Sequence, residues 1–314
     1  MATDTHLPLN HLPTEDSLKT AKELFAGTVA GWTQVLTGQP FDTVKVRLQT
    51  QPRENPTYTG MGDCVRQTLK NEGFTGFYKG TLTPLLGVGA CVAIQFGALE
   101  YAKRSFTLYN SSHSSHPSHL SFPQLFLSGA FSGLANSILS GPIEHIRTRL
   151  QVQSKNPTPG TVMYTGPWDV TRKIYTTHGL RGLYKAQHVT LIREFVGYGA
   201  YFATYEYLMQ REMINHNKKR SEVEMWKQCA YGAGSGYALW LSVYPVDVVK
   251  SMLQVDGFGK EAKWRGMWDC ARRTIAQEGV RGLYRGFGPC MLRAAPVNAA
   301  TFVAYEATMN LLGR

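Results

Sequence analysis

Pro40-Phe41-Asp42-Thr43-Val44-Lys45 is the first of three stretches that share one pattern, proline–x–acid–x–x–base. The other two are Pro142-Ile143-Glu144-His145-Ile146-Arg147 and Pro245-Val246-Asp247-Val248-Val249-Lys250. Their prolines are spaced by 102 and 103 residues in a chain of 314 residues, so each stretch holds the same position in one third of the sequence. Self-similarity at a fixed period indicates one supersecondary unit present in several copies. The pattern therefore predicts three tandem copies of one unit.

The residues around the pattern repeat in the same register. A Gly-x-x-x-Gly pair precedes each proline, a glutamine lies four residues after each base, and an aspartate later begins a short helical stretch. These residues are Gly27 and Gly31, Gly129 and Gly133, Gly232 and Gly236, then Gln49, Gln151 and Gln254, then Asp63, Asp169 and Asp269. Because small residues let helices approach closely in lipid, we expect each glycine pair to pack against a neighbouring helix.

Each unit reads as a long helix, a loop, a short helix and a second long helix. We expect the first long helices near 21–50, 121–153 and 224–254, and the second ones near 81–106, 187–209 and 287–312. The repeats then span 18–109, 121–212 and 223–314, after an N-terminal tail at 1–17. A Ser/His-rich loop at 110–120 and a basic loop at 213–222 join them. Because no fourth ligand is near the histidines of the first loop, a solvated loop is favoured over a metal site there.

Charge and hydropathy restrict the class of protein. Lys and Arg number 33 against 22 Asp and Glu, and the net charge of +11 would suit a soluble helical-repeat protein that binds nucleic acid. Against this alternative, the chain has no dense basic tract and no nucleic-acid motif. The mean hydropathy of −0.23 is low for a membrane protein and counts against membrane spans taken one at a time. These values fit a bundle that faces lipid outside and a charge-lined aqueous cavity inside.

The sequence carries no clear catalytic, metal-binding or targeting signal. Gly87-x-Gly89 lacks the third glycine of a dinucleotide loop, and no Ser-His-Asp, Cys-His or paired-carboxylate arrangement stands out. The five cysteines form no Cys-x-x-Cys pair, which indicates free thiols in reducing surroundings. Residues 1–20 resemble neither a secretory signal nor an Arg-rich transit peptide. We predict a protein that is not an enzyme and uses neither a cofactor nor a metal.

The three copies of the pattern predict a ring of ion pairs. A proline removes one backbone hydrogen bond and kinks its helix, so three helices can converge beyond Pro40, Pro142 and Pro245. The acid of one helix can then meet the base of its neighbour, which joins Asp42, Glu144 and Asp247 to Lys45, Arg147 and Lys250. Pairs within each helix are the alternative, and they stabilise by only about 0.2–0.5 kcal/mol each. Beneath the ring, braces are expected from Gln49, Gln151 and Gln254.

These motifs resemble those of the mitochondrial carrier family, and the resemblance covers the chain from about Leu18 to Leu312. It implies an all-α membrane protein with six transmembrane helices in three pseudo-symmetric repeats, each with a short helix on the matrix side. It also implies a multi-pass protein of the mitochondrial inner membrane with both termini toward the intermembrane space; another organelle membrane, such as the peroxisomal one, is the alternative. Transport would alternate between a matrix gate, formed by the ring, and a cytoplasmic gate on the second long helices.

The cytoplasmic gate departs from the family pattern of aromatic–acid–x–x–base. Here Lys103 lies three residues after Glu100, whereas methionines stand three residues after Glu206 and Glu306. Only Lys103 supplies a base, so at most one ion pair is expected, and a gate this weak predicts a resting state open to the cytoplasmic side. Smaller departures from the repeat pattern stand at three positions. Met252 replaces the base found at Arg47 and Arg149, His178 replaces the acid found at Glu72 and Glu278, and Ala186 replaces the glycine found at Gly80 and Gly286.

Specificity is expected where three-fold symmetry breaks, because a small solute is not symmetric. About three turns before the cytoplasmic-gate acids, the sequence matches the family's substrate contact points with Arg193 and Glu194 in repeat two, Arg293 in repeat three, and Gly87, Val88, Cys91 and Gln95 in repeat one. Charge near mid-membrane is costly unless it has a function. An arginine would take a carboxylate bidentately and Glu194 an ammonium group. In the alternative, Arg193 and Glu194 only neutralise each other.

Residues 77–92 and 291–302 are similar to a fungal subgroup of mitochondrial amino-acid carriers associated with glutamate and glycine. The resemblance favours an amino-acid substrate such as glutamate, moved with a proton, or glycine. Carnitine/acylcarnitine exchange and basic amino-acid exchange of the ornithine type are alternatives within the family, and a membrane scaffold that has lost transport is a further one. As partners we expect the substrate and an anionic lipid such as cardiolipin, with no nucleic acid and a monomeric protein.

Overall fold

The computed structural model describes residues 15–54, 56–113, 120–153, 162–216 and 219–313. These residues form six long and three short α-helices and no strand. In chain order the helices are α1 Glu15–Thr50, α2 Met61–Glu72, α3 Leu82–His113, α4 Phe122–Val152, α5 Pro167–Leu183, α6 Gln187–His216, α7 Met225–Val255, α8 Met267–Glu278 and α9 Phe287–Leu311. The all-α fold with three helical triplets, α1–α3, α4–α6 and α7–α9, agrees with the prediction from the repeats.

Two long helices extend further than the sequence suggested. α3 continues to His113 and α6 to His216, so the first residues of both predicted loops are helical. The added turn of α3 is held by two side-chain hydrogen bonds between Asn110 and Gln124 of α4. His116 and His119 of the predicted Ser/His-rich loop lie outside the described residues.

The six long helices form a closed bundle with an uneven pattern of contacts. α1 packs along α9, α3 along α4, and α6 along α7, which joins each repeat to the next. Within repeats, only α4 and α6 pack along their length, whereas α1 with α3 and α7 with α9 make few contacts. The bundle is therefore held together more between repeats than within the first and third repeat.

The glycine pairs explain this unevenness and correct the prediction made for them. A methyl group added at Gly129 or Gly133 would overlap the main-chain oxygen of Tyr198 or Glu194, so α4 and α6 touch backbone to backbone. In the other repeats the corresponding glycines are Gly27 and Gly31, and Gly232 and Gly236. A methyl group added at any of them would meet no atom closer than 4.0 Å. Close glycine packing is therefore present in repeat two only, and it was wrongly expected in all three.

Alanine in place of Gly133 is expected to lower the free energy of unfolding by about 1–3 kcal/mol, because its methyl group would collide with the backbone of α6. Gly236→Ala is the matched control, since its methyl group meets open space at the equivalent position of repeat three. Thermal unfolding of the purified variants measures both changes. Equal shifts for the two variants would contradict the asymmetric packing.

Each repeat has its own small apolar core, where the end of the first long helix meets the short helix. In repeat one this core contains Val44, Leu48, Cys64 and Phe77. Equivalent cores unite α4 with α5, and α7 with α8. The aspartate near the start of each short helix accepts a main-chain N–H four residues earlier, at 3.0–3.1 Å, and so fixes the entry of the chain. These cores make one end of the bundle compact.

The turn before each second long helix shows how the second repeat departs from the others. Gly80 and Gly286 adopt positive φ angles of 76° and 77°, and the equivalent residue Ala186 adopts the same conformation at 61°. An L-residue with a side chain pays about 1–2 kcal/mol for this left-handed conformation. The turn at Ala186 is therefore locally strained.

The substitution Ala186→Gly is expected to stabilise the fold by about 1 kcal/mol, since it relieves this strain. The reverse change, Gly286→Ala, should destabilise, because its methyl group would lie 2.8 Å from the carbonyl oxygen of Lys45. Unfolding midpoints in denaturant or heat measure both. An Ala186→Gly protein no more stable than the parent would show that the left-handed turn is absent.

The outer surface of the bundle is strongly apolar. Large side chains with more than half their surface exposed include Leu24, Phe25, Leu86, Ile138, Leu241 and Val303. Among the described residues, one segment, Phe74–Ser112, has the length and hydropathy to cross a membrane by itself, with a mean hydropathy of 1.8. The other long helices turn charged side chains into the bundle, which lowers their average while their outer faces stay apolar.

Candidate functional site

Three ion pairs connect the long helices in a closed cycle. Lys45 of α1 pairs with Asp247 of α7 at 2.7 Å, Arg147 of α4 pairs with Asp42 of α1 at 2.8 Å, and Lys250 of α7 pairs with Glu144 of α4 at 2.5 Å. Each acid thus meets the base of a neighbouring helix and not the base of its own helix. We call these six residues the ring.

Glutamines support the ring, although not in the symmetric way that the sequence suggested. Gln49 donates to Asp247 at 3.1 Å, whereas Gln151 bonds to Thr43 and Gln254 to Thr148, neither of which belongs to the ring. A further glutamine, Gln39, was not predicted from the sequence; it is fully buried just before Pro40 and accepts a hydrogen bond from Arg147. Gln39 also donates to the carbonyl of Lys79 at 2.9 Å, so it ties the ring to the turn before α3.

A cavity of about 860 Å³ lies against the ring and is lined by all six long helices. It extends from the ring to the level of Cys229 and Tyr305. All seven residues predicted to contact a substrate line this cavity, namely Gly87, Val88, Cys91, Gln95, Arg193, Glu194 and Arg293. The fold thus brings together residues that are up to 206 positions apart in the sequence.

The two central arginines differ in how far they are already engaged. Arg193 donates to Glu144 at 2.8 Å and to Glu194, and its side chain is only 10% exposed. The pairing of Arg193 with Glu194 is the mutual neutralisation that was the alternative interpretation of the sequence. Among the residues that the structure describes, Arg293 pairs with one carboxylate, that of Asp42 at 3.3 Å, and 26% of its side chain is exposed. Arg293 is therefore the arginine more open to a ligand.

The opposite end of the bundle carries more ion pairs than the repeat pattern allowed. Lys103 of α3 pairs with Glu206 of α6 at 3.2 Å and with Glu100 at 3.3 Å. Arg220, from the predicted basic loop, also binds Glu206 at 2.8 Å. The expectation of at most one pair was therefore wrong, because it considered only bases inside the motif. Glu306, the third acid of the set, lies in α9.

Near the ring, an ion pair that is complete in repeat one lacks one partner in repeats two and three, where a residue of another repeat takes its place. Glu72 of repeat one binds Arg47 at 2.8 Å and Lys79 at 2.7 Å. Burial alone would raise the pKa of Glu72, but the hydrogen bonds from these two bases outweigh it and hold that pKa below its usual value. Repeat three has Met252 at the position of the Arg47 base. Its acid, Glu278, instead forms a salt bridge with Arg53 of repeat one.

Repeat two lacks the acid and uses an aromatic ring instead. His178 stands where the acid is expected, and its ring stacks on Phe258 of repeat three at 4.1 Å. The same Phe258 ring lies 4.6 Å from the guanidinium of Arg149 and 4.5 Å from the ammonium of Lys185. Burial lowers the pKa of Lys185 to about 8, with the neighbouring Arg149 adding to the effect. A cation–π contact thus replaces a salt bridge in this repeat.

Comparison with known proteins agrees with this architecture. The profile of the family described as mitochondrial carrier protein matches residues 16–110, 118–216 and 221–314, one match for each repeat. The chain is 48% identical to the glutamate/glycine mitochondrial carrier of Schizosaccharomyces pombe, over 92% of this chain and 93% of the relative. It is 46% identical to the mitochondrial glycine transporter of Saccharomyces cerevisiae, over 97% and 96% of the two chains.

A more distant group of relatives carries a different kind of solute. The mitochondrial carnitine/acylcarnitine carrier protein of Homo sapiens is 39% identical over 93% of this chain and 94% of the relative. With a family match in each third of its length and relatives of this similarity over nearly the whole chain, the protein belongs to the mitochondrial carrier family.

Proposed function

We propose that this protein transports a small amino acid, glutamate or glycine, across the mitochondrial inner membrane. The observation that carries the proposal is Arg293, a partly exposed guanidinium inside the cavity that, within the described part of the chain, pairs with one carboxylate. A guanidinium binds a carboxylate with two parallel hydrogen bonds, so it suits the group that all amino acids share. The amino-acid carriers among the relatives, at 46–48% identity, support the same class of substrate.

The proposed mechanism is alternating access between two gates. The ring is the matrix gate, and the pairs around Glu206 belong to the cytoplasmic gate, with both termini facing the intermembrane space. In the described conformation all three ring pairs are made, which corresponds to a closed matrix gate. Opening requires these pairs to separate together, and the buried glutamines that hold them limit how easily that occurs.

Uptake into liposomes tests the proposal directly. Purified protein is reconstituted, and the uptake of labelled glutamate, glycine, carnitine and ornithine is measured with and without the same solute inside, and with and without an inward proton gradient. Saturable uptake of glutamate or glycine is the expected result, and stimulation by the gradient would identify proton symport. The absence of uptake of all four solutes would overturn the substrate assignment and favour a scaffold.

Carnitine or acylcarnitine exchange is the second candidate, because the human carrier of these solutes is 39% identical to the chain. An exchanger of that kind would take up carnitine faster when carnitine is present inside the liposomes. Ornithine exchange is the third outcome, and it would need a further acid in repeat one, where Cys91 and its neighbours provide none. We further propose that the protein acts as a monomer, with cardiolipin as its anionic lipid and the repeat boundaries given above.

A further inference from the structure

The cavity contains buried polar atoms that no other part of the described protein satisfies. Three of them are oxygens, namely Oδ1 of Asn136, Oγ of Ser140 and Oε2 of Glu194, in residues that are only 4%, 7% and 1% exposed. All three residues line the cavity. The other unpartnered atoms in its lining are guanidinium nitrogens, including Nε of Arg293. The residues that line the cavity therefore carry unused acceptors and unused donors, which is the pattern that a zwitterion would complete once side-chain movement exposes these atoms.

The three oxygens come from two helices in direct contact. Asn136 and Ser140 are four residues apart in α4 and so share one face of that helix. The main chain of Glu194 packs against Gly133, which lies one turn before Asn136. The close glycine packing found only in repeat two thus brings the backbone of α6 at Glu194 against α4 one turn before Asn136.

We propose that Asn136, Ser140 and Glu194 form a pocket for the primary ammonium group of the substrate, and that this pocket selects amino acids against trimethylammonium compounds. The inference rests on the proposed amino-acid transport. It adds Asn136 and Ser140 of α4 to Glu194, which the resemblance to the family already implied as a ligand of an ammonium group. A buried acceptor left without a donor is unfavourable, so a ligand that supplies donors is favoured by the same amount.

The number of N–H groups decides the selectivity. A primary ammonium group carries three N–H donors, as the lysine side chain does. A trimethylammonium group carries none and is bound through the faces of aromatic rings. The oxygens of α4 and α6 would stay unsatisfied beside a trimethylammonium group.

Stepwise N-methylation of the transported amino acid tests this inference. The N-methyl, N,N-dimethyl and N,N,N-trimethyl derivatives compete with the labelled amino acid for uptake into liposomes. They keep the carboxylate and the positive charge, and each step replaces one N–H donor with a methyl group, so the variants below are needed to separate lost donors from added bulk. We expect inhibition to weaken at each step and the trimethyl derivative to bind at least about 10-fold more weakly than the parent, as the loss of one hydrogen bond to a charged group implies.

Two variants locate the effect. Asn136→Leu and Ser140→Ala should each raise the KM of the amino acid by about 10-fold, because one acceptor of a charged hydrogen bond is lost. Both should also reduce the difference in inhibition between the parent amino acid and its trimethyl derivative. Ser137→Ala is the control, since Ser137 is buried in α4 outside the cavity lining and donates to the carbonyl of Leu134 at 2.7 Å. Ser140→Ala is the smaller change and serves if Asn136→Leu does not fold.

The outcome is separable from that of the proposed function. If no amino acid is taken up, the proposed function fails. If amino acids are taken up but the trimethyl derivative competes as well as the parent, the ammonium pocket is overturned while amino-acid transport stands. Unchanged selectivity in a folded Ser140→Ala or Asn136→Leu protein would equally overturn it.

Discussion

Uptake of the amino acid is expected to fall at least about 100-fold when Arg293 is replaced by glutamine, because a charge-assisted bidentate contact with the carboxylate is lost. Arg193 should not compensate, since Glu144 and Glu194 already engage its guanidinium. Initial rates in liposomes measure the effect, and the reconstituted amount and unfolding temperature of the variant show whether it is folded.

Arg104→Gln is the matched control for Arg293→Gln. Arg104 is an exposed arginine in α3 and does not line the cavity, so its loss changes the net charge equally and leaves uptake within about twofold. Normal uptake by the Arg293→Gln protein would mean that another group binds the carboxylate of the substrate. The proposed site would then have to be rebuilt around Arg193.

Glu144→Gln is expected to lower the free energy of unfolding by about 3 kcal/mol, the lower end of the effect of breaking a buried ion pair, because 29% of the Glu144 side chain is exposed. Glu144 accepts hydrogen bonds from both Lys250 and Arg193, so its neutralisation leaves two cations close together without their shared carboxylate. Thermal unfolding of the detergent-solubilised protein, without substrate, measures the change.

A second substitution distinguishes charge imbalance from lost packing. Adding Lys250→Met to the Glu144→Gln protein removes the cation that loses its ring partner and should restore part of the stability, whereas Arg193 keeps its bond to Glu194. Glu100→Gln is the control, because Glu100 is 69% exposed and contacts only Lys103, at 3.3 Å, among the ion pairs described. If Glu144→Gln shifts the unfolding temperature no more than Glu100→Gln does, the ring pairs contribute no stability to this conformation.

The sequence was sufficient for the helix order and the ring, but not for the contacts of the repeated glycine pairs and glutamines. The spacing of proline, acid and base recurs three times, so helix order and the ring followed from pattern alone. The ring is predictable because each member sits at a fixed offset from a proline, and three-fold symmetry leaves each acid one partner helix. The seven predicted cavity residues came from the resemblance to the family's substrate contact points, and they share one cavity because equivalent positions of a symmetric bundle face its axis.

The asymmetric features needed the tertiary structure. Arg53, Phe258 and Arg220 reach into another repeat or another motif from loops, where no periodic spacing predicts a side-chain partner. The orphaned oxygens of Asn136 and Ser140 could not be found from sequence either, because a polar residue in a helix becomes a ligand candidate only when its neighbours leave it unpaired. The sequence by itself determined the repeated frame, since that depends on local spacing, whereas the contacts that break the symmetry depend on which side chains meet across helices.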